Sequence, residues 1–345
     1  MLISTQSVNK LAEYIENRKE TFCSGLFLSA RWMVVSQLDH QGIQMIILPD
    51  RDSAEYCAAD LYNFIEGDRV YFLPDSGKNL ERSNYKSSLG VQRTSALGKI
   101  LEFEKGEQLI IVTYPAALEE PVPDKGKISG SLLRLSVGDE KDYDEIIRIL
   151  FNNGFERVDF VAEPGQFAVR GALIDIFSYS FNNPFRISFF GDEIESINVF
   201  DTNTQLSKEK IDHVDIYPDL SLSEESGETY IHDILPDDTL VWLDSSDMYR
   251  NSGFFSDLKK FRTVYMELPL SRQDEEVVIF NISPQPVFNK NFELLTEDIR
   301  KRIENGYRVR IYGEKQSQLE RLKSILSQNG GIIPEFVSGS NIHNG

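Results

Sequence analysis

The stretch GLFLSARWMVV, Gly25 to Val35, decides how the first part of the chain is read. It has the outline of a phosphate-binding loop running into an apolar helix. A working loop follows G-x-x-x-x-G-K-[ST], in which the lysine reaches the terminal phosphates and the hydroxyl coordinates magnesium. Here Gly25 is followed by four residues and then by Ala30, Arg31 and Trp32. Arg31 keeps a positive charge, but its planar fork is larger than an ammonium and demands a different geometry. Trp32 cannot ligate a metal. Leu26–Ser29 contains no glycine, so its backbone N–H groups are less free to turn inward on an anion. The stretch reads as a buried α/β element that keeps the form of a nucleotide site without its chemistry.

The surroundings agree with an α/β domain. MIILPD (Met45–Asp50), RVYFLPD (Arg69–Asp75) and QLIIVTYP (Gln108–Pro115) are short apolar runs ending in turn residues. AEYCAADLYNFI between the first two has helical spacing, and strands alternating with helices predict a parallel sheet. EEPVPDKGK (Glu119–Lys127), with two prolines and a glycine, reads as a linker or boundary.

Beyond it the texture changes. DYDEIIRILFNNGF (Asp142–Phe155) carries apolar residues at 146, 147, 150 and 151, the spacing of an amphipathic helix ending at Asn-Gly. Close-set strands follow, with turn signals at Pro164-Gly165 and Gly191-Asp192. The α/β texture returns at DDTLVWLDSSD (Asp237–Asp247). The tail alternates helix, strand and helix before IIPEFVSGSNIHNG, the start of a βα unit whose sheet needs more strands than remain. The expected organisation is an α/β domain over 1–120, an inserted α+β module over 121–218, a return to the first domain over 219–280, and a further small α/β module, cut short, over 281–345.

Composition narrows the function. The net charge of −19 repels a polyanion at long range, which favours a protein partner over generic DNA binding. His40, His213, His232 and His343 are scattered without metal-ligand spacing, and Cys23 and Cys57 form neither a metal motif nor a disulfide framework. No run approaches a membrane span, and Glu13, Glu16 and Glu20 interrupt what a signal peptide needs as an apolar core, so the cytoplasm is the expected location. No catalytic triad is recognisable.

In FRISFFG, alternation puts Phe185, Ile187 and Phe189 on one face and Arg186, Ser188 and Phe190 on the other. The first set is a core face. The second shows an aromatic beside an arginine on a face expected to be solvated, the composition of an interface hot spot. A plainer alternative has Phe190 tucked under a loop and Arg186 paired with Asp192 or Glu193. Phe167 and Val169 are odd-numbered while Ile174 and Ile176 are even; a bulge at Gly171 accounts for that break and turns Arg170 outward.

The stretch EPGQFAVRGALIDIFSYSFNNPFRISFFGDEIESINVFD (Glu163–Asp201) closely resembles the UvrA-binding module shared by the repair helicase UvrB and the transcription-repair coupling factor (Mfd) family. The signature P-x-R-[IV]-x-F-F-G-D-E-I-[DE]-S-I is long and specific. The resemblance extends over about residues 1–280, strongly in the module and faintly elsewhere. Three features favour the coupling-factor family. UvrB keeps an intact phosphate loop. UvrB also carries a tyrosine-rich DNA-clamping hairpin, whereas LPDSGKNLERSNYKSSLG (Leu73–Gly90) is shorter and holds only Tyr85. Finally, LPDDTLVWLDSSD aligns with a Walker B strand that would end Asp-Glu and here ends Asp244-Ser245; Ser245 cannot supply the base that a glutamate would.

The resemblance implies a degenerate P-loop domain carrying an inserted UvrA-binding module, with Arg170, Arg186 and Phe190 matching the residues that contact UvrA. It implies a full-length ATP-dependent DNA translocase, helicase-like, that displaces stalled RNA polymerase from double-stranded DNA and brings nucleotide excision repair to the lesion. ATP and magnesium would serve a downstream motor, and this part would have no cofactor, no metal and no ATPase activity. Two alternatives stay open: a divergent UvrB-like fragment that still binds nucleotide through Arg31 and Asp244, and a DNA-binding module in which Tyr179 and Phe181 stack on single strands.

Overall fold

The structure is a computed structural model that describes residues 5–77, 84–123, 126, 132–181, 183–221, 229–272, 275–282, 286–328 and 334–338. Residues 78–83 of the Leu73–Gly90 stretch, most of the second half of the expected linker and His343 lie outside these. The side chain of Tyr85 does too.

The first domain is built from α1 (Thr5–Asn17), β1 (Glu20–Ser24), α2 (Ala30–Gln37), β2 (Gly42–Ile47), α3 (Arg51–Phe64), β3 (Val70–Phe72), α4 (Asn84–Glu102), β4 (Gln108–Thr113) and α5 (Pro115–Leu118). Every residue of β2 is buried, as expected of a parallel strand covered on both faces. α3 starts where Asp50 accepts a hydrogen bond from the Ser53 N–H at 2.8 Å.

The chain then leaves this sheet for the inserted module. There β5 (Leu133–Ser136), α6 (Tyr143–Asn152), β6 (Glu156–Arg157), β7 (Gln166–Arg170), β8 (Leu173–Phe177), β9 (Phe185–Phe190), β10 (Glu193–Phe200), β11 (Ser207–Ile211) and β12 (His213–Ile216) follow one another. It returns through α7 (Ile231–Ile234), β13 (Leu240–Leu243), β14 (Arg262–Tyr265) and β15 (Val277–Ile279). The seven strands of the first domain pair in the order β15-β1-β14-β13-β2-β4-β3, all parallel. β13 lands beside β2, and Trp242 Nε1 donates to Gln44 Oε1 at 3.0 Å in the buried interior, closing the sheet across the insertion.

Alternate residues of the sheet face two cores. One holds Ile46, Leu48 and Trp242 under α1, α2 and α3. The other holds Met45, Ile47 and Val241 under α4, α7 and the aromatic turns at Phe254 and Phe261. The expected linker is pinned rather than loose: Val122 N–H donates to the Thr229 carbonyl at 2.8 Å, and buried Arg93 donates to the carbonyls of Pro74 and Pro121.

The module is a six-stranded sheet in the order β11-β10-β9-β8-β7-β6, antiparallel except for β6-β7. α6 begins where Asp142 accepts from the N–H groups of Asp144 and Glu145, and Ile146 and Leu150 press it onto one sheet face. The β5–β12 ribbon completes that core with Leu135 and Ile216.

The expected bulge at Gly171 is instead a two-residue hairpin turn. Arg170 pairs directly with Leu173, and Gly171 alone of the two turn residues has positive φ, +58°. A glycine at the first central position suits a type II′ turn. In a hairpin with an even-numbered turn, opposed residues differ in parity, so odd-numbered Phe167 and even-numbered Ile176 share a face with no extra residue inserted.

Tyr217 docks the module on α4: its ring lies against Gly98, its hydroxyl meets Glu102 at 2.5 Å, and Leu220 N–H donates to Thr94 Oγ1 at 3.0 Å. The tail forms α8 (Phe292–Glu304), β16 (Arg310–Gly313), α9 (Gln316–Gln328) and β17 (Glu335–Ser338), with β16 and β17 paired in parallel.

Candidate functional site

The loop after β1 brings the first set of expected residues together. Gly25 has φ +75°, and a Cβ there would overlap the Phe280 carbonyl oxygen just after β15. The glycine is therefore demanded by close packing of the loop on a neighbouring chain segment. Ala30 opens α2, Trp32 is buried beneath it, and the Arg31 guanidinium stacks over the Trp32 ring at 4.7 Å. Leu28 adopts φ +52°, and Arg31 Nε donates to its carbonyl at 3.1 Å. Arg31 Nη1 then bonds Asp244 Oδ2 at 2.5 Å.

A cation at the first turn of a helix opposes the helix dipole, and the buried Asp244 carboxylate offsets that. The base that would reach a phosphate and the acid that would face a metal thus neutralise each other. Ser245, in the left-handed region at φ +51°, starts the short turn beyond β13. Ser29 Oγ donates to buried Asp60 at 2.6 Å, and Cys57, in the same core, has its thiol pushed well above the usual range by burial.

The second set lies on the outward face of the six-stranded sheet. Alternation along β9 holds as expected: Phe185, Ile187 and Phe189 are buried, while Arg186 and Ser188 are half-buried. Phe190 is 79% exposed at the end of the strand, not tucked under a loop.

Arg186 pairs with neither Asp192 nor Glu193. Its Nε and Nη2 bond the two oxygens of Asp175 at 2.7 and 2.8 Å, because β8 sets Asp175 directly opposite Arg186. The hydrogen bonds to Asp175 hold Arg186 further into its charged form, against partial burial, which acts the other way. Arg170 Nη2 reaches the same carboxylate at 2.9 Å, so one aspartate that is only 2% exposed serves two arginines. Phe200 lies under Arg186 and Phe160 over Arg170, each at 4.5 Å.

Sequence reading missed Asp175 and Phe160. A signal for the first exists: Asp175 interrupts the apolar run LIDIF, and a charge inside a core strand must find a partner. Tyr179 and Phe181, considered for stacking on bases, make edge contacts with Phe155 and Phe185 and pack against the module core. Among the described residues, no helix is long and apolar enough to cross a membrane.

Comparison with known proteins finds likenesses. A family model described as the UvrB interaction domain matches residues 133–221. The transcription-repair-coupling factor of Bacillus subtilis (strain 168) is 30% identical over 205 residues, 59% of this chain and 17% of that protein. Its namesake from Mycobacterium tuberculosis (strain CDC 1551 / Oshkosh) is 33% identical over 191 residues, 53% of this chain and 15% of that protein. The one from Myxococcus xanthus is 30% identical over 204 residues, 56% and 17%. The aligned part of the chain therefore spans less than a fifth of the length of these relatives. The chain is similar to the transcription-repair-coupling factors over more than half its length and matches, at residues 133–221, the model of the UvrB interaction domain.

Proposed function

We propose that this chain is the UvrA-recruiting region of a transcription-repair coupling factor, a protein-binding region without ATPase activity. The observation that carries the reading is Phe190, 79% exposed on the strand face that also bears Arg186, inside the matched interaction domain. A large aromatic left in water on a face that carries guanidinium groups is stabilised by a partner rather than by its own fold. Arg170, Arg186 and Phe190 mark the UvrA-binding face. In the whole protein an ATP-driven motor translocates on double-stranded DNA and displaces stalled RNA polymerase in the cytoplasm, and ATP and magnesium belong to that motor. Gly25, Ala30, Arg31, Trp32, Asp244 and Ser245 form a degenerate nucleotide site: the Arg31–Asp244 pair supports this, since it occupies both charges that nucleotide and metal would need.

Calorimetric titration into UvrA tests the reading. The native chain binds, and Arg186→Ala combined with Phe190→Ala weakens binding by about 30-fold or more, the loss of at least one true hot spot. Equal binding by both proteins would move the contact elsewhere on the molecule. Absence of binding by the folded native chain would remove the recruitment function, and ATP turnover by the purified chain would remove the claim of an inert nucleotide site.

A further inference from the structure

The two arginines of the outward face differ in how many donors they have left. A guanidinium has five N–H groups. Arg186 spends Nε and one Nη2 hydrogen on Asp175, directs the other Nη2 hydrogen at Gln205 Oε1 at 3.4 Å, and donates from Nη1 to the Gln205 carbonyl at 3.3 Å. One donor remains, and its side chain is only 20% exposed. Arg170 has one hydrogen bond among the described residues, through Nη2 to Asp175, and its side chain is 38% exposed. Phe160, 64% exposed, lies over the Arg170 guanidinium. Register sets Phe190 close by, two strands from Arg170: Arg170 opposes Leu173, Leu173 opposes Ser188, and Phe190 lies two residues further on the same face.

We infer that this face has two layers with different roles, an inference that rests on the recruitment reading. Asp175, Arg186 and Gln205 form an inner clamp, and Arg186 is a positioning residue. Phe160, Arg170 and Phe190 form the outer contact ridge, and Phe160 is a binding residue in its own right. The partner surface that fits the ridge is a carboxylate held between apolar side chains. The carboxylate takes the free fork of Arg170, and the apolar groups cover the two rings.

Charge stoichiometry makes the clamp necessary. Two guanidiniums and one carboxylate leave a single positive charge for the partner. Removing the charge of Arg186 alone hands Asp175 entirely to Arg170, and the ridge becomes neutral. Removing both charges of the clamp restores the surplus.

Binding of the whole chain to UvrA, with circular dichroism as the check on folding, tests both layers. Phe160→Ala should lower affinity about tenfold or more with an unchanged melting curve, because the ring is largely in solvent already. Arg186→Gln should lower affinity by a similar factor, and Asp175→Asn combined with Arg186→Gln should return it to within about threefold of the native value. If Arg186 itself touches the partner, the double variant stays as weak as Arg186→Gln, and the clamp assignment falls. Should the double variant not fold, Phe160→Ala decides: a tenfold loss upholds the ridge, and native affinity overturns it. If the native chain fails to bind UvrA, the recruitment reading itself fails, an outcome distinct from either variant result.

Discussion

Two arginine–aspartate clusters, one in each domain, use the same side-chain chemistry and reach different ends. At the Gly25 loop one guanidinium meets one buried carboxylate, and Arg31 also closes on a carbonyl of its own loop. The charges cancel within the fold, and the cluster ties α2 to the end of β13. On the module face two guanidiniums share Asp175, so one positive charge is left over beside exposed Phe160, on the face that also carries exposed Phe190. A closed one-to-one pair is a structural tie whose rupture strands a buried charge. A two-to-one cluster at a half-open surface is a handle for an anion. Stoichiometry and accessibility, more than residue type, separate the two clusters.

The contrast breaks most severely at Gly25. Gly25→Ala combines a positive φ with overlap on the Phe280 carbonyl, so the loop has to lift from the segment after β15. The cost should be about 3 kcal/mol or more. Both tryptophans, Trp32 and Trp242, are buried in one core of the first domain, so urea unfolding followed by tryptophan fluorescence reports that domain alone. An unchanged midpoint would mean that the glycine is not held there by packing.

Next in size is the tie itself. Arg31→Met or Asp244→Leu alone should cost about 2–3 kcal/mol, and the double variant should recover most of the loss, giving a coupling of about 2 kcal/mol. The same fluorescence measurement closes the cycle. A coupling near zero would leave the Arg31 charge free for a ligand and would revive nucleotide binding.

Much of the parallel-sheet domain is legible in sequence, because strands covered on both faces read as unbroken apolar runs such as MIILPD and QLIIVTYP. The outward placement of Arg186 and Phe190 is legible for the complementary reason: β9 is covered on one face and keeps strict alternation. The β7–β8 hairpin is misread because parity shifts equally at a bulge and at a two-residue turn, and only pairing distinguishes them. The Arg31–Asp244 tie joins residues 213 positions apart, and the Arg186–Asp175 pair depends on the register of β8 against β9. Neither leaves a local pattern. Strand order is equally hidden, since nothing near β13 announces that it lies beside β2 across the whole inserted module.

The smallest effect sharpens the comparison at a second positive-φ glycine. Gly171 turns the hairpin that presents Arg170, yet an added Cβ there meets nothing within 4 Å, in contrast to Gly25. Gly171→Ala should therefore carry only the backbone cost of a positive φ, about 1 kcal/mol. Its carbonyl accepts from the Tyr143 hydroxyl at 2.8 Å, a bond that the substitution leaves in place and that keeps the turn seated on α6. Arg170 is positioned by Asp175 from the neighbouring strand, so its aim survives a strained turn. Hydrogen exchange at the β7 and β8 amides should detect the modest loosening, while affinity for UvrA stays within about twofold of native. A tenfold loss of affinity with intact protection would place the turn itself in the contact and extend the ridge past Arg170 to the hairpin tip.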